Sequence, residues 1–143
     1  MKRIILLGFI LISWNSQAQK QEIKSTIATF FEGFHARDSA KIKSVCSENM
    51  VLQSIAETAN GNSLSEESSA AFYHSIATIP NEIKFSEKII SYTIQVDGTM
   101  AVAWTPYEFY KNGILSHTGV NVFTLFKKDD SWKIIYIIDT RRK

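Results

Sequence analysis

The dipeptide Asn112-Gly113 constrains this chain more than any other feature. It separates two long runs of alternating polarity, Thr99 to Tyr110 and Ile114 to Lys128. Asn and Gly tolerate positive φ at both central positions of a type I′ turn, whose twist matches that of paired antiparallel strands. With these two residues at the turn, Lys111 faces Ile114, and counting outward pairs Glu108 with His117, Pro106 with Gly119, Trp104 with Asn121 and Val102 with Phe123. These pairs share one face of the sheet. The opposite face carries Ala101, Ala103, Thr105, Val120, Val122 and Thr124, small and β-branched residues suited to sheet packing or a subunit contact.

Upstream, the apolar period is helical. Ile23, Ile27, Phe30, Phe31 and Phe34 form one stripe, which predicts an amphipathic helix over Glu22 to Arg37. Asp38 is the expected N-cap of a short second helix ending at Cys46, with Ile42, Val45 and Cys46 inward, followed by a strand at Met50 to Ile55. Ala56 to Asn62 reads as a loop. Ser63-Leu64-Ser65-Glu66 matches a capping box, so a third helix is expected to start there, carry Leu64, Ala71, Phe72, Ile76 and Ile79 on one face, and close at Pro80 and Asn81.

Beyond Pro80 the period falls to two. Ile83 and Phe85 lie in one phase and Ile90, Tyr92, Ile94 and Val96 in the other, so an extra residue must be absorbed near Glu87 to Ile89. Asp97-Gly98 and Asp129 to Ser131 supply further turns, the second leading into a last strand from Trp132 to Asp139. The expected class is α+β: helices first, then a curved four-stranded antiparallel meander that holds them on one side.

Residues 1–18 carry basic Lys2 and Arg3, an apolar run from Ile4 to Ile12 and the small-residue site Ser16-Gln17-Ala18, the three parts of a cleaved signal peptide. The apolar run is roughly half the 20 residues a membrane span needs. No cysteine stands near the cleavage site to accept a lipid. A periplasmic or secreted domain over residues 19–143 is therefore expected, with no membrane association after cleavage. Lys2 and Arg3 account for the formal charge of +2, so the remainder is balanced at 14 basic and 14 acidic residues, which argues against a nucleic-acid partner. Cys46 is the single cysteine, so no internal disulfide forms; it reads as a small buried hydrophobe. The three histidines lack ligand spacing, and neither a metal nor a cofactor is expected.

The order of elements, with Trp104-Thr-Pro-Tyr-Glu-Phe-Tyr, Asn112-Gly, His117-Thr-Gly-Val-Asn-Val-Phe, Trp132-Lys-Ile and Asp139-Thr-Arg, resembles the nuclear transport factor 2-like superfamily. Within it the chain is similar to small bacterial proteins grouped as lumazine-binding or polyketide-cyclase-like. The resemblance covers the chain after the signal segment and implies a cone, in which a curved sheet wraps the first helices around a cavity, and commonly a homodimer. It does not select a function, because the superfamily holds isomerases, dehydratases, cyclases and non-catalytic modules. Its steroid isomerases place a tyrosine and paired aspartates in the cavity. No such set is matched here, since Tyr107 falls on the face opposite Glu108.

On the expected register, Trp104 and Phe123 wall a pocket, Gly119 leaves a gap, and Glu108, His117 and Asn121 are its polar groups, the composition of a small-molecule site. His35, at the edge of the first stripe, is a candidate for the same cavity, the alternative being an ordinary hydrogen bond at the helix edge, and Asp139, at the end of the last strand, either faces the cavity or pairs with Arg141. The leading expectation is a binding domain for a small apolar or aromatic ligand. The alternatives are a cofactor-free lyase or isomerase of the dehydratase type, with His117 as acid or base, Glu108 orienting it and Asn121 donating to an oxyanion, and a non-catalytic dimeric association module. The bland counterpart is a partly exposed cross-strand Glu–His pair, worth at most about 1 kcal/mol.

Overall fold

The computed structural model describes the backbone of residues 2–143 and the side chains of residues 16–143; most of the expected signal segment lies outside the residues whose side chains are described. The first helix, α1 (Lys2–Ala36), buries Ile23, Ile27, Phe30 and Phe31 on the stripe that its spacing sets. It ends where Arg37 takes a positive φ of 58° and the Asp38 N–H donates to the Gly33 carbonyl at 2.8 Å. Asp38 then caps α2 (Ser39–Val45), its Oδ1 accepting from the Lys41 N–H at 2.9 Å.

Strand β1 (Cys46–Thr58) turns tightly into β2 (Gly61–Ser68), so the segment expected to be a loop and a helix start is an exposed antiparallel hairpin with Ile55 opposite Leu64. The capping-box match at Ser63 is overridden because a whole ladder of backbone hydrogen bonds outweighs one capping interaction of about 1 kcal/mol. The third helix, α3 (Ser69–Ala77), begins later, capped by Ser68 Oγ accepting from the Ala71 N–H at 3.2 Å.

The extra residue expected near Glu87 to Ile89 is taken up just after it. Strands β3 (Phe85–Ile89) and β4 (Thr93–Asp97) both pair with β5 (Met100–Lys111), but Ile89 faces Tyr107 while Thr93 faces Trp104, a slip of one position across the break. The chain continues through β6 (Ile114–Lys128) and β7 (Ser131–Arg142). The sheet runs β2-β1-β7-β6-β5-β3, with β4 also on β5. It has seven strands rather than four and is mixed, because β1 pairs with β7 in parallel, Leu52 opposite Ile137. The class remains α+β, with the helices held in the curve of the sheet. Among the described residues no helix is long and apolar enough to cross a membrane.

Packing follows side-chain size. Ala101 and Ala103, fully buried on β5, leave room for α1, whose Phe30 and Phe31 meet Phe123 edge to face at 5.8 and 6.0 Å between ring centroids. Trp132 is buried at one end of the sheet and donates from Nε1 to Glu22 at 3.2 Å, which fastens α1 to β7. Toward the other end the space between helices and sheet stays open, walled by phenylalanine rings.

Candidate functional site

The register of the β5–β6 hairpin decides what faces that space. Asn112 and Gly113 adopt positive φ, 51° and 79°, and Lys111 faces Ile114 as the turn chemistry predicts. Tyr110 then faces Leu115, but Phe109 faces His117, so Ser116 is an extra residue on β6. Because strand side chains alternate, this one-residue bulge inverts the relation between the strands beyond it. Thr105 now opposes Asn121 and Tyr107 opposes Gly119, and these are the pairs that face the helices.

The resulting cavity measures about 420 Å³. Phe30, Phe31, Phe34, Phe72, Phe123 and Ile137 make its apolar body; Glu87, Tyr107, His117, Asn121, Asp139 and Arg141 make a polar pole. At that pole Asn121 Nδ2 donates to Glu87 Oε1 at 2.6 Å. Burial, with a smaller contribution from Asp139, pushes the Glu87 carboxyl up to about 7; the Asn121 hydrogen bond and Arg141 act against the rise. The Tyr107 hydroxyl lies 3.2 Å from Asp139 Oδ2 and 2.9 Å from the Thr140 carbonyl, and Arg141 Nε donates to the same Asp139 oxygen at 2.8 Å. Burial first, and then Asp139, raise the Tyr107 phenol above its ordinary value. The Tyr107 ring lies across Gly119, where a Cβ would come within 2.9 Å of the ring and collide with the Thr140 carbonyl. Gly119 is therefore a seat for Tyr107 rather than a gap in the wall.

His117 stacks on Phe109 with centroids 4.8 Å apart, and its Nδ1 lies 3.3 Å from Ser116 Oγ. Burial holds it below its ordinary pKa, helped by Arg141 and Lys143 and opposed by Asp139, so it is neutral at pH 7. Among the described residues no three His, Cys, Asp or Glu side chains cluster at metal-ligand spacing.

This architecture matches solved structures closely. An NTF2-like protein from Cytophaga hutchinsonii superposes with a TM-score of 0.71 at 12% identity, over 87% of this chain and 98% of the other. A second, from Novosphingobium aromaticivorans with a cystatin-like fold, gives 0.71 at 13% identity over 92% and 87%. A candidate dehydratase of the NTF2-like family from Streptomyces avermitilis gives 0.68 at 12% identity over 90% and 99%. The chain has the nuclear transport factor 2-like fold. No protein-family model matches the sequence, and no curated protein matches it either.

Within this NTF2-like cone the expected site residues divide between the two faces of the sheet. His117, Asn121, Phe123 and Asp139 line the cavity. Glu108 and Trp104 do not: Glu108 lies outside, bonded by the Tyr110 hydroxyl at 2.8 Å and 3.8 Å from Lys88 Nζ, and Trp104 is 51% exposed. The Glu108–His117 dyad is therefore absent, because the Ser116 bulge sets the two side chains on opposite faces. The same inversion brings Tyr107 inside next to Asp139, correcting the expectation that Tyr107 faces away from the cavity. His35 stands behind the site rather than in its lining. Its Nε2 accepts from the Glu87 backbone N–H at 3.0 Å and so satisfies an edge-strand donor, and burial lowers its pKa. Cys46 is buried, and its thiol is pushed up to about 12 by burial, which makes it a packing residue.

Glu87, Tyr107 and Arg141 are site residues that the sequence reading did not select. Glu87 did leave a signal, as an acid at an inward position between Phe85 and Ile89. Arg141 follows from Asp139 by strand alternation once β7 extends to Arg142.

Proposed function

We propose that this NTF2-like cone binds a small molecule with an apolar, aromatic body, and that the site is the cavity between α1, α3 and the sheet. The observation that carries this reading is the make-up of the lining: a cluster of phenylalanine rings beside hydrogen-bonded donors and acceptors from Glu87, Asn121, Tyr107, Asp139 and Arg141, with further polar groups from β1, β2 and α3. A volume of about 420 Å³ lies in the range of small-ligand pockets. The sequence resemblance to lumazine-binding and polyketide-cyclase-like proteins supports a flat, aromatic ligand. The N-terminal segment supports a periplasmic or secreted location. Native mass spectrometry of the protein purified from its own host tests the reading: a retained molecule of a few hundred daltons is expected, and a protein that is consistently empty and takes up no apolar probe would overturn it.

A second reading is a cofactor-free dehydratase or isomerase, and the environment of Glu87 favours it. A carboxyl near pH 7, beside an amide donor and inside an apolar cavity, has the poise of a proton-transfer group. Glu87 takes the place first assigned to the Glu108–His117 pair, Asn121 orients it, and Tyr107 and Asp139 face the same space. The same fold in a candidate dehydratase is consistent with that chemistry. On this reading Glu87→Gln removes turnover while leaving ligand binding in place.

The outer face of the sheet supports a homodimer. Trp104, Val122 and Ile138 lie in one row across β5, β6 and β7, with Val102 beside them. An apolar row of this kind, with Trp104 exposed and the others half-buried, suits the centre of an isologous contact with a second copy.

A further inference from the structure

We infer that the ligand is an acid, an apolar or aromatic body bearing one carboxylate or similar monoanionic head, held at the terminal guanidinium nitrogens of Arg141. This rests on the cavity-binding reading and deepens it. Arg141 is the only lysine or arginine among the described lining residues. It engages Asp139 through Nε alone, at 2.8 Å, so the rest of its planar donor fork stays available at the mouth of the cavity. Asp139 Oδ2 is already shared between that Nε and the Tyr107 hydroxyl, which fixes the guanidinium plane without occupying its far edge.

Asp139 is the negative charge nearest the guanidinium, and it takes only the Nε side, so an anion is placed at the terminal nitrogens away from it; Glu67 is a further carboxylate in the lining. His117 is neutral and Lys143 adds positive potential beside it. Glu87, about half protonated at pH 7, can in its neutral form offer its carboxyl O–H to an incoming oxygen while Asn121 bonds its Oε1. A carboxylate that bridges Arg141 and Glu87 would direct its apolar body toward Phe30, Phe72 and Phe123, whose rings are in contact through Phe30.

The test uses two fluorescent probes of the same skeleton, anionic 8-anilinonaphthalene-1-sulfonate and neutral N-phenyl-1-naphthylamine. Wild-type protein is expected to bind both, and Arg141→Met is expected to weaken the anion about tenfold or more while leaving the neutral probe unchanged. Arg142→Met, whose side chain pairs with Glu57 on the outer face, should alter neither. Displacement of the neutral probe from wild-type protein by 2-naphthoate against 2-naphthamide requires no variant, and the acid is expected to act at about tenfold lower concentration. Equal displacement by the two, or an Arg141→Met variant that affects both probes alike, overturns the inference and leaves the cavity reading standing. Failure of both probes to bind at all removes the cavity reading and this inference together.

Discussion

Glu87 is where the cost of building this cavity is concentrated. An acid whose folded pKa is raised from 4.5 to about 7 binds more protons in the folded than in the unfolded chain between those values, so stability falls as pH rises through that window. The full loss above pH 7 is about 3 kcal/mol. His35 and His117, both lowered by burial, act in the opposite direction: their contribution is lost as pH falls below 6.5. The difference between wild type and Glu87→Gln isolates the carboxyl. In thermal melts from pH 4.5 to 8 the variant should gain on the wild type as pH rises, and parallel curves would show that Glu87 is solvated. Gly119 is equally constrained. A methyl group there meets the Thr140 carbonyl and the Tyr107 ring, so Gly119→Ala should destabilise the fold by about 1–3 kcal/mol and displace the tyrosine, which urea titration followed by tyrosine fluorescence would measure.

Among the elements, the β5–β6 hairpin has the largest consequences. Asn112 combines a positive φ with two bonds to the start of β3: its N–H donates to the Lys84 carbonyl at 2.7 Å and its Oδ1 accepts from the Lys84 N–H at 3.0 Å. Asn112→Ala should therefore cost about 1–2 kcal/mol and speed amide exchange at Lys84, whereas Asn112→Asp keeps both the turn and the acceptor and should be close to neutral. The bulge at Ser116 is a separate device. Removing that residue would restore the uninterrupted register, turning Glu108 toward the cavity or His117 out of it. Deletion of Ser116 is expected to abolish probe binding in the cavity while the far-UV circular dichroism of the sheet persists; unchanged binding would mean that the bulge does not set the facing.

For the whole molecule, the sheet walls the cavity on one side, and the proposed subunit contact lies on the other. Trp104→Glu should shift the protein to monomer in analytical ultracentrifugation without changing probe binding, because Trp104 lies outside the cavity. A variant that stays dimeric would place the contact elsewhere. Helical periodicity located the C-terminal part of α1 from Glu22, although the helix itself starts at Lys2, the cap at Asp38 located α2, and Asn112-Gly113 located the hairpin, since each depends on interactions within a few residues. The β1–β2 hairpin was hidden because its polar, exposed β2 carries no alternating signal, and the parallel β1–β7 pairing joins strands far apart in the chain.

The fold class, the turn and the inward set of β6, namely His117, Gly119, Asn121 and Phe123, were determined by local chemistry: a positive-φ dipeptide and an alternating run leave little freedom. Which residues of β5 meet them was decided only by tertiary structure. A single extra residue at Ser116 carries almost no sequence signature, yet strand side chains alternate with a period of two, so that one residue moves Glu108 and Trp104 out and brings Tyr107 in. The polar pole likewise exists only in three dimensions, because Glu87, Asn121, Asp139 and Arg141 come from three strands that meet when the sheet curves around α1.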